Sequence, residues 1–307
     1  MNPAKRGGAS TRVQMRKSIA SAAMPLEAGV PPPQSGDYAE FLRIMLPQQT
    51  KAVASHRLGS ERVWLKKAGP RHGKFRYHLL AAASGALRLD VLAPVPNPGG
   101  EAAIAIEARR LRLLGAAGLR VPAVLAQQPD GLLISDLGES GRPPVVLQER
   151  LDQAAAAGPA SLLTVWREGL AAISIVHARG TYLSQAFDRN LVQCPDGVIG
   201  YIDFEDDPGE TLPLAECQAR DWLSYLHSTA MLVNAASPHA AAAHWHAALA
   251  DASADVRDRL SLAARRMHWL RHLPAGRRWG RDTQRVRAVA GLLSRWYGPE
   301  GPGPKGR

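Results

Sequence analysis

The sequence predicts an α+β protein of two lobes, a small β-rich one followed by a larger, mainly helical one. Three observations lead there. Strand patterns cluster before residue 137, helical periodicity dominates from residue 145, and a single hairpin signal is embedded in the helical half. Strands and helices segregated along a chain indicate α+β architecture, and 307 residues suffice to bury a substantial core. The divisions read as a basic, Gly/Ala/Pro-rich disordered tail over 1–36, a first lobe over 37–137, a second over 138–298 and a short Gly/Pro-rich disordered tail over 299–307. A hinge joins the lobes, and the cleft between them is where a ligand would sit.

The elements follow in order. A short helix is expected over 38–46. Arg62-Val63-Trp64-Leu65-Lys66 alternates polar and apolar, as a half-buried strand does. Residues 75–92 read equally as helix or strand. Residues 102–117 are helical by propensity and by the spacing of Ile104, Ala108, Leu111 and Gly115, with Gly118 as the stop. Val121 to Ala126 and Leu132-Leu133-Ile134-Ser135 read as strands around the turn Pro129-Asp130-Gly131. After a loop over 138–144, helices are expected at about 145–156, 160–178, 213–235, 238–252, 255–273 and 281–297. The exception is Leu191-Val192-Gln193 and Val198 to Ile202, which flank Pro195-Asp196-Gly197 as a hairpin.

Composition excludes several classes. Two cysteines, Cys194 and Cys217, make neither a disulfide framework nor a metal motif, and read as reduced thiols. No apolar run reaches spanning length and no secretory signal is present, so the expected location is cytoplasmic. The net charge of +11 resides at the ends: residues 259–307 hold twelve Lys/Arg against Asp282 and Glu300, whereas 27–258 hold 21 basic and 25 acidic residues. The slightly acidic middle makes nucleic acid an unlikely partner. The segment 265–296 mixes arginines with Trp269, Trp279 and Trp296; it reads either as helices with a solvated Arg face or as a basic surface for peripheral contact with the inner membrane face.

The chemistry is concentrated in His177 to Glu210, which reads HARGTYLSQAFDRNLVQCPDGVIGYIDFEDDPGE. The hairpin presents Asn190 before its first strand and Asp203 after its second, so the two are spatial neighbours. A carboxylate and an amide oxygen converging in this way form a hard-oxygen site of the kind Mg²⁺ prefers, with phosphates completing the shell.

Asn190, the short hairpin and Ile202-Asp203-Phe204-Glu205, preceded by His177-Ala178-Arg179-Gly180, resemble the protein-kinase-like superfamily over about residues 50–240, most of all its bacterial lipopolysaccharide (Kdo) kinase-like and RIO-like branch. The resemblance implies ATP and Mg²⁺ as cofactors, with Asn190 and Asp203 as metal ligands. It implies that Lys66, in Val63-Trp64-Leu65-Lys66, binds phosphate, with Lys67 the competing position, and that Glu107 is its partner. Asp136, in Leu133-Ile134-Ser135-Asp136-Leu137-Gly138, falls at the nucleotide-binding hinge, and Asp221 looks like the buried acid that orients the catalytic loop. The implied acceptor is a sugar or lipopolysaccharide-type small molecule or glycolipid, or a protein Ser/Thr hydroxyl.

Two departures stand out. Where the family places its catalytic aspartate, five residues before Asn190, this chain has Gln185. Glutamine holds a hydroxyl but is no general base; Asp188 is the only carboxylate in the loop able to stand in, provided the loop bends. No Gly-rich phosphate loop precedes Val63, only Gly59-Ser60. The expectation is therefore an ATP/Mg²⁺-dependent phosphotransferase, with a regulatory pseudokinase as the alternative. Other motifs fail on chemistry. The run Asp203 to Glu210 has Pro208 where a calcium loop needs glycine, the stretch 69–75 is one residue short of a P-loop with Phe75 in the hydroxyl position, His239, His244 and His246 lack zinc-ligand spacing, and no G-x-S-x-G elbow is present.

Overall fold

The first described helix, α1 (Tyr38–Gln48), starts where the Asp37 carboxylate accepts the Glu40 N–H at 3.1 Å. The computed structural model describes residues 37–69 and 99–298. The tails, the segment 75–92 and all of the P-loop near miss except Gly69 lie outside the described residues.

The chain is α+β. Strands β1 (Val53–Leu58), β2 (Glu61–Lys67), β3 (Val124–Gln128) and β4 (Gly131–Ser135) form an antiparallel sheet in the order β1-β2-β4-β3. Alternation along β2 sends Val63 and Leu65 to one face, where they join Phe41, Leu42 and Leu46 of α1, together with Leu58 and Leu133. The opposite face carries Trp64 and Lys66, and there Leu132 and Ile134 join the main core. Because both faces of β4 are covered, its sequence is a continuous apolar run. Helix α2 (Gly100–Ala116) packs on β3 and β4 and buries Ile104, Ala108, Leu111 and Leu114 at helical spacing. It stops at Gly118, whose φ of +76° suits glycine, and Leu119 N–H returns to Leu114 O at 3.1 Å.

The rest is mainly helical. Strand β5 (Val145–Val146) leads into α3 (Leu147–Ala157), α4 (Pro159–Ala178) follows, and the hairpin β6 (Leu191–Gln193) and β7 (Ile199–Tyr201) pairs with β5 in the order β5-β6-β7. Then come α5 (Leu214–Ala236), α6 (Pro238–Ala248), α7 (Ala254–Met267), the 3₁₀ turns His268–His272 and Arg277–Trp279, and α8 (Arg281–Tyr297). Four buried indoles, Trp166, Trp222, Trp245 and Trp296, form the centre, with centroids of neighbouring rings 5.3–6.3 Å apart. Gly169 lets α4 approach α5: a Cβ there would collide with the Tyr225 phenol, which donates to Trp166 O at 2.9 Å. Both cysteines are buried and free. Among the described residues no helix is long and apolar enough to cross a membrane.

The sequence expectation differs from this in four places. Strand β1 was not foreseen, since Val-Ala-Ser-His-Arg-Leu lacks a clean apolar alternation. Residues 145–146 are a strand rather than the first turn of a helix, because Val145 and Val146 pair with Gln193 and Val192. Strand β3 starts at Val124 instead of Val121, with a bulge between Val124 and Ala126. The helices expected over 238–252 and 255–273 are shorter: α6 ends at Ala248, and 268–272 tighten into a 3₁₀ turn after α7.

Candidate active site

Lys66 leaves β2 on the face opposite Val63 and Leu65 and meets α2. Its Nζ donates to both Glu107 carboxylate oxygens at 2.6 Å, and only 8% of Lys66 and 1% of Glu107 is exposed. Two further carboxylates approach the same ammonium, Asp203 Oδ1 at 3.8 Å and Glu205 Oε1 at 3.6 Å. Burial pushes the Lys66 pKa down, but the Glu107, Asp203 and Glu205 carboxylates outweigh it and hold the amine above its ordinary value.

The hairpin supplies Asn190 and Asp203. Leu191 pairs with Tyr201, and Ile202 N–H donates to Asn190 O at 3.0 Å, so Asp203 emerges beside Asn190. Asp203 has φ +75°, a left-handed conformation that aspartate tolerates better than most side chains and one of only two such non-glycine positions among the described residues. The other is Ser184, in the loop leading to Asn190, with φ +80°. Asn190 Nδ2 donates to Gln185 O at 3.0 Å, which fixes the edge of the amide that carries its oxygen.

The loop over 181–190 is held from below. Asp221, fully buried on α5, accepts Leu183 N–H at 2.7 Å and lies 3.1 Å from His177 Nε2. From above, α2 reaches the loop through Arg110, whose Nη2 donates to Tyr182 O at 2.6 Å and whose guanidinium lies 4.1 Å from the Tyr182 ring centroid. Arg109 on the same helix pairs with Asp207 at 3.0 Å and Glu210 at 2.5 Å, and the Tyr182 hydroxyl donates to Asp207.

The structure thus brings Glu107 and Asp203 within 3.8 Å of the Lys66 ammonium, and joins Asn190 to them through its backbone bond to Ile202. The other candidates have different settings. The Gln185 side-chain amide donates to Asp206 Oδ2 at 2.6 Å. Asp188 faces α5: its backbone N–H donates to Ser228 Oγ at 3.1 Å, and its carboxyl, pushed up by burial, interacts with the same hydroxyl and the Arg189 N–H. Asp136 follows β4 and accepts Trp64 Nε1–H at 2.8 Å, next to Lys66 on β2. Glu205, Asp206, Asp207, Tyr182, Arg109 and Arg110 were not singled out as site residues, because their partners lie far away in sequence. The acidic run 205–207 is the one local signal for them: its spacing fails as a calcium loop, and only Glu205 belongs to the motif that carries the resemblance.

The donor set fits a hard divalent cation that arrives with phosphate. Three carboxylates around one ammonium leave a negative excess. Among the described residues no three His, Cys, Asp or Glu side chains converge as a metal cage. Asp203 and Asn190 could offer a metal at most a carboxylate and an amide oxygen, and phosphate oxygens and water would have to supply the rest of its shell. No protein-family model matches the chain, and no curated protein is significantly similar to it.

Proposed function

We propose that the chain is a two-lobed, protein-kinase-like phosphotransferase that uses ATP and Mg²⁺, with residues 37–137 as the small lobe and 138–298 as the large one. The observation that carries this reading is the Lys66–Glu107 pair lying 3.8 Å from Asp203, with Asn190 fastened to the residue before it. In this reading Glu107 orients Lys66, Lys66 holds the α- and β-phosphates, and Asn190 with Asp203 holds the metal. A metal held there would supply charge neutralisation for the phosphate oxygens. Asp136 marks the connection between lobes where the base would lie. The acceptor, a sugar or glycolipid-type hydroxyl or a protein Ser/Thr, is positioned by Gln185, with Asp188 the nearest carboxylate along the loop. Phosphoryl transfer relies chiefly on positioning and charge neutralisation, so the missing base lowers the rate without removing the chemistry.

One observation favours a second reading, a nucleotide-binding regulatory module without turnover. The Gln185 amide is engaged by Asp206 and the Asp188 carboxyl faces α5, so neither group is presented to an acceptor as a general base. Thermal unfolding with ATP, with and without Mg²⁺, tests the common premise. A ligand at a hundred times its Kd adds about 2.7 kcal/mol of stability. The expected result is a Mg²⁺-dependent rise in Tm that Asp203→Ala abolishes; no rise at saturating ATP sinks both nucleotide readings. Turnover by the wild type against Gln185→Asp then separates enzyme from regulatory module.

A further inference from the structure

At the far end of the helical part, a groove of about 1410 Å³ opens between the end of α5, the start of α6, the end of α7, the turn His268–His272 and α8. Its walls carry four arginines, Arg265, Arg271, Arg287 and Arg295, and three histidines, and among the described residues no Asp or Glu lines it. Hydroxyl, amide and imidazole groups orient three of the four arginines. Arg265 donates to Ser261 Oγ at 2.8 Å, Arg295 to Asn234 Oδ1 at 3.2 Å, and Arg271 to ring nitrogens of His272 and His268 at 3.0 and 3.1 Å. Ser294 Oγ braces the same His268 nitrogen at 3.1 Å. With Arg287 beside these three arginines, four guanidinium groups line one concavity with no carboxylate among its described lining, and they repel each other until an anion arrives. Arginine in particular matches phosphate through paired N–H donors.

We propose that this groove and its rim form a docking surface for the headgroups of anionic phospholipids. Charge complementarity supports the occupant. The chain's own segments outside the described residues have an excess of basic over acidic side chains in each case, so none is suited to fill the groove: Lys5, Arg6, Arg12, Arg16 and Lys17 against Glu27, then Arg71, Lys74, Arg76 and Arg88 against Asp90, then Lys305 and Arg307 against Glu300. Two exposed indoles close in sequence to the groove residues His268, Arg271 and Ala275 support a bilayer surface over a small free anion. Trp269 is 58% exposed and Trp279 52%, on the two short turns that lead into and out of Leu273 to Gly276, and Arg278 lies 5.5 Å from the Trp279 ring centroid. An indole with an apolar body and one N–H donor suits the headgroup level of a bilayer. The groove is also larger than pockets that enclose single drug-sized ligands, which run to about 1,000 Å³. This proposal does not depend on the phosphotransferase reading, since binding here needs no nucleotide.

The test is sedimentation of the full chain with vesicles of phosphatidylcholine alone or mixed with phosphatidylglycerol, without ATP or Mg²⁺. Binding is expected only to the anionic vesicles and weakens with added salt. Each arginine near such a surface contributes roughly a factor of five, so Arg265→Glu with Arg271→Glu and Arg287→Glu should lower affinity on the order of a hundredfold or more. A control with Arg57→Glu, Arg62→Glu and Arg112→Glu makes the same change in net charge away from the groove and should bind nearly as the wild type does. Unchanged thermal unfolding of both triple variants checks that they fold, and Trp269→Phe with Trp279→Phe should remove the blue shift of tryptophan emission on vesicle addition. Equal binding to neutral vesicles, or equal loss in the groove and control variants, overturns the proposal. So does complete displacement from vesicles by tripolyphosphate at equal phosphate concentration, which would make the groove a site for a free polyanion. Tighter binding of a single-stranded oligonucleotide than of vesicles, at equal phosphate, would reassign it to nucleic acid.

Discussion

Lys66 and Glu107 respond unequally to removal, and the asymmetry follows from their surroundings. Lys66→Met leaves Glu107, 1% exposed, without its one ion-pair partner among the described residues and beside Asp203 and Glu205. Stranding a buried charge costs about 3–5 kcal/mol. Glu107→Gln instead leaves Lys66 with Asp203 at 3.8 Å and Glu205 at 3.6 Å, and the amide still accepts one hydrogen bond. Those carboxylates are 23% and 39% exposed and partly screened, so the loss should be about 1–2 kcal/mol. The double variant Lys66→Met/Glu107→Leu should lie within about 1 kcal/mol of wild type, since an apolar pair removes both desolvation penalties. Urea denaturation of the four proteins measures this, and the pH dependence supplies a sign. Burial, with Asp203 and Glu205 adding to it, already holds the Glu107 carboxyl above its ordinary value against the pull of Lys66; removing Lys66 raises it further, so the deficit is small at low pH, where the carboxyl is neutral in both proteins, and grows as pH rises towards the variant's higher folded value. Equal losses in the two single variants, or a Lys66→Met deficit independent of pH, would refute the claim that Glu107 depends on Lys66 for its charge.

Asp206 offers a second pH effect. Burial raises its pKa, and among the described residues Oδ1 has no hydrogen-bond partner, so ionisation costs the folded state stability from about pH 4 upward. Asp206→Asn keeps an acceptor for Gln185 and should gain stability over wild type by an increment that grows with pH; a gain equal at pH 4 and pH 8 in paired denaturant titrations would reject that account. Asp221→Ala removes the acceptor of Leu183 N–H and the neighbour of His177 inside the protein, at a cost of about 2–4 kcal/mol, and Asp221→Asn should recover part of it because its oxygen still accepts one bond. Thermal unfolding of the pair decides, and equal loss in both would mean that charge rather than hydrogen bonding matters there.

Local patterns made much of the helical part legible. Helices α4, α5 and α8 lie within a residue or so of their expected bounds, since their apolar spacing and flanking Pro or Gly residues are intrinsic to each segment. The β6–β7 hairpin was visible through Pro195-Asp196-Gly197, and the juxtaposition of Asn190 with Asp203 follows from it. Strand β1 was hidden because only Leu58 at its end is fully buried, while Val53 to His56 are half buried and include Ser55 and His56, so no apolar alternation marks it. Strand β5 was hidden because two valines before a helix carry no strand period of their own. The contacts of Arg109 with Asp207 and of Arg110 with Tyr182 span 98 and 72 residues, and no local rule reports a partner so remote. The groove is half legible: the segment 265–296 contains all four of its arginines, but they come from α7, α8 and the turn between them and converge on one concavity only when those elements pack.

Glu107, Arg109 and Arg110 occupy roughly one turn of α2, yet they reach three separate pieces of chain: β2, the segment after Asp203, and the loop before Asn190. These attachments share a rigid carrier, so they are not independent springs. Sliding or rotating the helix by one residue releases the ammonium, the acidic segment and the loop in a single event, whereas fluctuations smaller than that leave all three engaged. The site accordingly has two regimes, assembled and dismantled, and its tolerance to perturbation is set by the docking of one helix rather than by the strength of any one bond within it.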